Sequence, residues 1–405
     1  MTDNAPILLA YSGGLDTSFC IPWLRETYDA PVITITIDTG GIDAATAEDL
    51  ERRAMQLGAA EHHLVDARSH FFDSVLRHLI AGNVRRGQLY PLCVGAERGV
   101  QAAAMAKVAN ARGATRIAHG CTAAGNDQVR FEVALAALAP NAEVLAPVRD
   151  NSWARADQIA YLEKDNLPLP PAGGDYSINR GLWGVTIGGQ ETLTSQGCIP
   201  ESAWVLSAGA LETPQPAETL TLGFEAGVPV SIDGTAFKPI ALIEALEQRA
   251  ARFGIGRGVH LGDTILGTKG RVAFEAPAAE VLIVAHRELE KLVLSAAQQR
   301  IKDSVAASYG DFVHEGRHLD PACRDIEALF DSAQQRVTGT VQVRLQPGSV
   351  FIEGLDSPFS LLAATRGVYG EAAGEWTPAD ARGYARVLSL PGILQQRAGQ
   401  GGAAS

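Results

Sequence analysis

The chain has 405 residues, 46% hydrophobic and 20% charged, which leaves room for two or three domains with cores of their own and excludes a disulfide-stapled miniprotein, a coiled coil or a wholly disordered chain. The net charge of −12 argues against broad electrostatic capture of nucleic acid or an anionic membrane, so any anionic ligand has to be held locally, by backbone amides, a helix N-terminus or a few placed basic groups. Five scattered cysteines without a C-x-x-C pair read as reduced thiols, no apolar run approaches the roughly 20 residues of a membrane span, and the opening segment lacks a basic n-region, so the expected location is the cytoplasm. In chain order, residues 7–11 (ILLAY) and 32–37 (VITITI) read as buried strands, each closed by a glycine pair and followed by a helix. Asp43 caps the second of these helices and Gly58 stops it. The rhythm repeats with a strand at 63–65, helices at 71–81 and 100–111, a strand at 115–119, a helix from Gln128 and a strand at 143–146, which predicts a doubly wound parallel α/β sheet. LPLPPAGG at 167–174 marks a boundary, with a first domain over 1–170 and a second over 171–397. The second domain reads as α+β, with hairpins at 220–232 and 341–352, helices at 239–253 and 279–298, and a C-terminal helix opened by Thr377 and Pro378. Residues 398–405 read as a disordered tail.

Two segments carry the chemistry, and both lie at the C-terminal ends of predicted buried strands. The first is Ala10, Tyr11, Ser12, Gly13, Gly14, Leu15, Asp16, Thr17 and Ser18. Its two glycines allow close backbone approach, its hydroxyls add donors, and the following helix contributes the positive end of its dipole, which together suit phosphates. It has no Walker A spacing. The second segment runs from His119 to Phe131, HGCTAAGNDQVRF, and Thr122, Asn126, Asp127 and Arg130 form a polar set suited to the charged groups of amino acids.

The S-G-G-L-D-T-S string resembles the PP-loop of ATP pyrophosphatases, and the second segment resembles the H-G-[AC]-T-G-K-G-N-D-Q-V-R-F signature of argininosuccinate synthases, with eleven of its thirteen residues matching. On these motifs the chain is identified as similar to that family, with a PP-loop domain followed by a synthetase and oligomerisation domain. The resemblance implies an AMP-forming ligation of citrulline and aspartate through citrullyl-AMP, with ATP as substrate, Mg²⁺ carried by its phosphates, no metal held by protein side chains, and no covalent protein nucleophile. It further implies ATP on residues Ala10 to Ser18, Ile37 and Gly120, with Ser12 and Asp16 nearest the reaction. Aspartate falls to Thr122, Asn126 and Asp127, and citrulline to Tyr90, Asn126, Arg130 and Ser177, with Arg98 near the same pocket. The implied assembly is a homotetramer, with neither nucleic acid nor membrane as partner.

The departures from the family pattern cluster at the citrulline end. Gly95 stands where a hydroxyl is usual, Thr186 for a serine, Gly262 for a glutamate, Phe274 for a tyrosine and Ala124 for a lysine. Two readings stay open: Asp263, one residue along, supplies the missing carboxylate, or the pocket takes a citrulline with an uncharged amino group, such as an N-acyl citrulline. A tRNA-modifying PP-loop enzyme would want a basic face and often a cysteine pair, and a catalytically silent paralogue would release no pyrophosphate.

Overall fold

In the computed structural model, which describes residues 5–170, 176–371 and 373–402, β1 (Ile7–Ala10) and β2 (Val32–Asp38) lie inside a sheet covered on both faces, so that β2 buries Thr34, Thr36 and Asp38 along with its β-branched apolar residues. With β3 (Glu61–Asp66), β4 (Arg116–His119) and β5 (Glu143–Leu145) they form a five-stranded parallel sheet in the order β3-β2-β1-β4-β5. Side chains alternate across it. Leu8, Ile33 and Ile35 pack on one face against Val100, Met105 and Leu135, while Ile7 and Leu9 pack on the other against Phe19, Leu24 and Leu50. Helices therefore cover both faces, Glu97–Arg112 and Asp127–Leu138 on the first, Leu15–Tyr28 and Ala44–Gln56 on the second. Asp43 caps its helix by accepting from the Thr46 amide at 2.8 Å, and Gly113 ends another at φ 61°. The doubly wound arrangement expected from the sequence is present.

The rest of the chain up to Pro358 belongs to the same compact unit and carries two antiparallel sheets. Its strands are β6 (Ser177–Gly181), β7 (Gly184–Gly188), β8 (Glu218–Glu225), β9 (Val228–Ile232), β10 (Thr235–Ala236), β11 (Arg257–Asp263), β12 (Lys269–Glu275), β13 (Gly339–Gln346) and β14 (Ser349–Asp356). One sheet has the order β10-β9-β8-β13-β14 and the other β11-β12-β7-β6. Both expected hairpins form, with Gly227 at φ 79° and Gly348 at φ 70° in their turns. The single helix expected over 279–298 is instead two, Pro277–Val293 and Ala296–His314. Ser295 breaks it with a capping box, its hydroxyl accepting from the Gln298 amide at 3.3 Å while Gln298 Oε1 accepts from the Ser295 amide at 3.0 Å. A second unit, Phe359–Ser405, holds helices Pro378–Leu388 and Leu390–Gly402, the first opened by a Thr377–Asp380 capping box. Residues 398–402, expected in a tail, continue the last helix, and residues 171–175 and 403–405 lie outside the described residues.

Four helical segments are joined by a buried polar network. Glu290 accepts from Gln334 Nε2 at 2.6 Å, pairs with Lys302 Nζ at 3.0 Å, and also accepts from Asn83. Lys302, 1% exposed, donates in addition to the Ala81 carbonyl at 2.9 Å. Lys302→Met leaves the Glu290 carboxylate buried without its counter-ion and should lower stability in urea titration by about 3–5 kcal/mol. Adding Glu290→Gln should recover part of that loss, and an unchanged midpoint in the single variant would refute the account.

Candidate active site

Strand order reverses between β1 and β4, which opens a crevice beyond their C-terminal ends. The loop after β1 turns there through Gly13, at φ 75°, where a Cβ would lie 2.4 Å from Leu50 Cδ2. Arg53 Nη1 holds the Gly13 carbonyl at 3.0 Å, a brace the sequence motif does not reveal. Gly14 is different: it is the N-cap residue of Leu15–Tyr28 at φ −76°, and a Cβ there would meet only Ser12 Oγ, at 3.6 Å. The first intrahelical bond is donated by Ser18 N to Gly14 O at 2.9 Å, so the helix itself does not use the amides from Gly14 to Thr17. The Thr17 hydroxyl accepts from Ser12 N at 3.3 Å and donates to Gly14 O at 3.3 Å, which braces the loop, while Ser12 is exposed and Asp16 half-buried. Tyr11, Leu15 and Ser18 are buried, and Ala10 and Ile37 sit near the ends of β1 and β2, so from Tyr11 and Leu15 the main chain alone is on offer. Gly120, just past β4, closes on this loop, since a Cβ there would stand 2.8 Å from Thr17 Cγ2 and 3.0 Å from Thr17 N.

The loop after β4 leads to Asp127, which accepts from Arg98 Nε at 3.0 Å and Arg130 Nη1 at 2.8 Å. Burial by itself would raise this carboxyl, but the two guanidiniums outweigh it and hold Asp127 down at about 2. Arg98 also donates to Gln101 Oε1 at 2.9 Å and Asn179 Oδ1 at 3.1 Å, and with its side chain 14% exposed it makes no mere surface pair. Next to it Glu97 is buried and accepts from the Thr39 hydroxyl, and that burial pushes its carboxyl up to about 7. Asn126 makes no side-chain cap for the helix that begins at Asp127. Its Oδ1 accepts instead from Ile265 N at 2.9 Å, which ties the turn between β11 and β12 to the site. Thr122 lies exposed on the same loop.

A cleft of about 280 Å³ opens beside this cluster, lined among others by Tyr90, Asn126, Arg130, Thr186 and Asp263. Three donors of Arg130 are already engaged, since besides Asp127 it donates to the His314 carbonyl at 2.7 Å and lies 3.1 Å from His314 Nδ1. The Tyr90 hydroxyl donates to the Cys93 carbonyl. Asp263 borders the cleft, but its carboxylate is 60% exposed and pairs with Lys269 at 2.5 Å. Ser177 is exposed at the start of β6 and is not among the lining residues, whereas Asn179, two positions on, is. Phe274 is buried below the cleft against Tyr90, ring centroids 5.1 Å apart. Arg86, Asn179, His260 and His314 also line the cleft and carry no sequence motif.

Residues 6–168 match the family model of the arginosuccinate synthase N-terminal HUP domain, and residues 176–394 that of the arginosuccinate synthase C-terminal domain. Among curated proteins, the argininosuccinate synthase of Xanthomonas campestris pv. campestris is 39% identical over 401 residues, covering 96% of this chain and 97% of that protein. The one from Symbiobacterium thermophilum is 37% identical over 386 residues, 95% and 96% of the two chains, and that from Methanocaldococcus jannaschii is 37% identical over 355 residues, 87% and 89%.

Proposed function

The chain belongs to the argininosuccinate synthase family, and from that membership we propose an AMP-forming ligase that joins citrulline to aspartate at the expense of ATP, in arginine biosynthesis. The observation that carries this reading is the meeting, at one reversal of strand order, of a phosphate-suited glycine loop with the Arg98–Asp127–Arg130 cluster. The uncommitted amides around Gly14, together with Ser12, take the phosphates, and the helix N-terminus favours their charge. Asp16 and Ser12 flank the reacting phosphate. ATP arrives as its Mg²⁺ complex, the ion neutralising phosphate charge.

The ureido oxygen of citrulline attacks the α-phosphorus, pyrophosphate departs, and citrullyl-AMP forms. The aspartate amine then attacks the activated ureido carbon and loses a proton, and AMP leaves with the bond electrons to give argininosuccinate. Neither step needs a protein nucleophile, so the residues act by positioning and charge stabilisation. Asp127 is suited to the aspartate ammonium because its neighbours keep it ionised. Thr122 and Asn126 complete that subsite, while Tyr90, Arg130 and Thr186 border the citrulline cleft. The direct test is AMP and pyrophosphate formation with each substrate omitted in turn. Product must require citrulline, aspartate and ATP together, and AMP released without the amino acids would overturn the reading.

We extend the proposal to a cytoplasmic homotetramer. Its support is the row of exposed apolar side chains on the second unit, Trp376, Tyr384, Val387, Leu388 and Leu394, each between 58% and 69% exposed. Light scattering should give about four times the 42.7 kDa chain mass, and Val387→Glu should lower it. A wild-type monomer at micromolar concentration would refute this.

A further inference from the structure

Among the described residues, the far end of the cleft offers hydrogen-bond donors and no carboxylate without a partner. Arg86 stands there with Nη1 on the Asp263 carbonyl at 2.9 Å and 2.9 Å from His314 Nε2. Burial and the neighbouring guanidiniums push His314 down to about 3, so it stays neutral and the charge here is that of the arginines. His260 lies flat on Tyr90, ring centroids 5.4 Å apart and planes 19° from parallel, and its buried Nε2 has no hydrogen-bond partner among the described residues. Of the nearby carboxylates, Asp127 belongs to the aspartate subsite, Asp263 pairs with Lys269 at 2.5 Å, and Asp311 lies exposed 3.6 Å from Arg86 Nε. An α-ammonium brought here gives up its water and meets the Arg86 guanidinium, whereas a carboxylate or an amide oxygen can accept from that guanidinium and from His260 Nε2 in its protonated tautomer.

We propose that Arg86 and His260 are specificity-determining residues that read a carboxylate or acyl oxygen of the ureido substrate, and that an N-acylated or deaminated citrulline is bound at least as well as citrulline itself. This rests on the ligase reading above. His260 and Gly262 act as a pair. A Cβ at 262 would lie 2.5 Å from His260 Nε2, so the ring occupies the volume into which any side chain at 262 would project. Gly95 lets Arg130 come close, since a Cβ there would lie 3.3 Å from Arg130 Nη2.

The test is calorimetric binding of citrulline, N-acetylcitrulline and 5-ureidopentanoate to the full chain with a non-hydrolysable ATP analogue present. The tighter of the two amine-free compounds should bind at least as well as citrulline. Citrulline binding more tightly than both, or none of the three binding, overturns the proposal. AMP formation from none of the three would instead overturn the ligase reading, while the binding order would still decide this one. The double variant His260→Ala, Gly262→Glu removes the ring and supplies a carboxylate, and should shift the affinity ratio towards citrulline by roughly tenfold or more. An unchanged ratio in the folded variant counts against it, and if that variant does not fold, the wild-type order remains decisive.

Discussion

Gly14→Val should leave a folded protein that makes AMP on the order of 10³-fold more slowly, as expected when oriented donors can no longer reach a developing charge. The protein itself tolerates the change. Backbone at φ −76° and ψ 173° suits a β-branched residue, and the nearest atom to the new Cβ is Ser12 Oγ at 3.6 Å. Only a ligand's approach to the main chain is obstructed. Gly13→Ala makes the informative contrast, because its Cβ meets Leu50 at 2.4 Å in a left-handed backbone, so it should lower stability as well as rate. Circular dichroism and urea titration separate the two effects. Normal turnover by folded Gly14→Val would remove this loop from the phosphate site.

Asp127→Asn should raise the KM for aspartate by roughly tenfold to a hundredfold, the loss of one charge-assisted contact, while the KM for ATP moves little. The same change takes the shared carboxylate from Arg98 and Arg130, so kcat should fall as well. An aspartate KM equal to wild type would exclude Asp127 from that subsite. Its pH behaviour has a definite sign. The folded carboxyl is held at about 2, below the roughly 3.9 of an unfolded chain, so its contribution to stability is complete above the unfolded value and is lost as pH falls through about 2. Acid titration of Asp127→Asn should therefore lose less stability below pH 4 than wild type, and the aspartate KM of wild type should show no break from Asp127 between about pH 5 and 9.

What could be read from the sequence alone depends on a few adjacent residues. The buried run before Ser12, the glycines that turn the loop, the Asp43 and Thr377 caps, and the hairpin turns at Gly227 and Gly348 are all local, and each stands where its pattern placed it. The Ser295 capping box is equally local, but the apolar periodicity on both sides of it reads as one helix, which is how two helices were joined. The composition of the cleft was not available in this way. Arg130 meets His314 across 184 positions, Asn126 meets Ile265 across 139, and Arg98 meets Asp127 across 29. Those partners sit on helices and turns that only packing brings together, and on the strands of the second half it is register that decides, since a slip of one residue turns a side chain to the opposite face. That register pairs Asp263 with Lys269 on the neighbouring strand, brings Asn179 rather than Ser177 to the cleft, and lays His260 over Tyr90. The sequence by itself determined the parallel sheet, the phosphate-suited loop and the family, because those follow from local backbone chemistry. Tertiary structure alone decided the charge surrounding the ureido substrate, because that charge is a sum over side chains brought together only by folding.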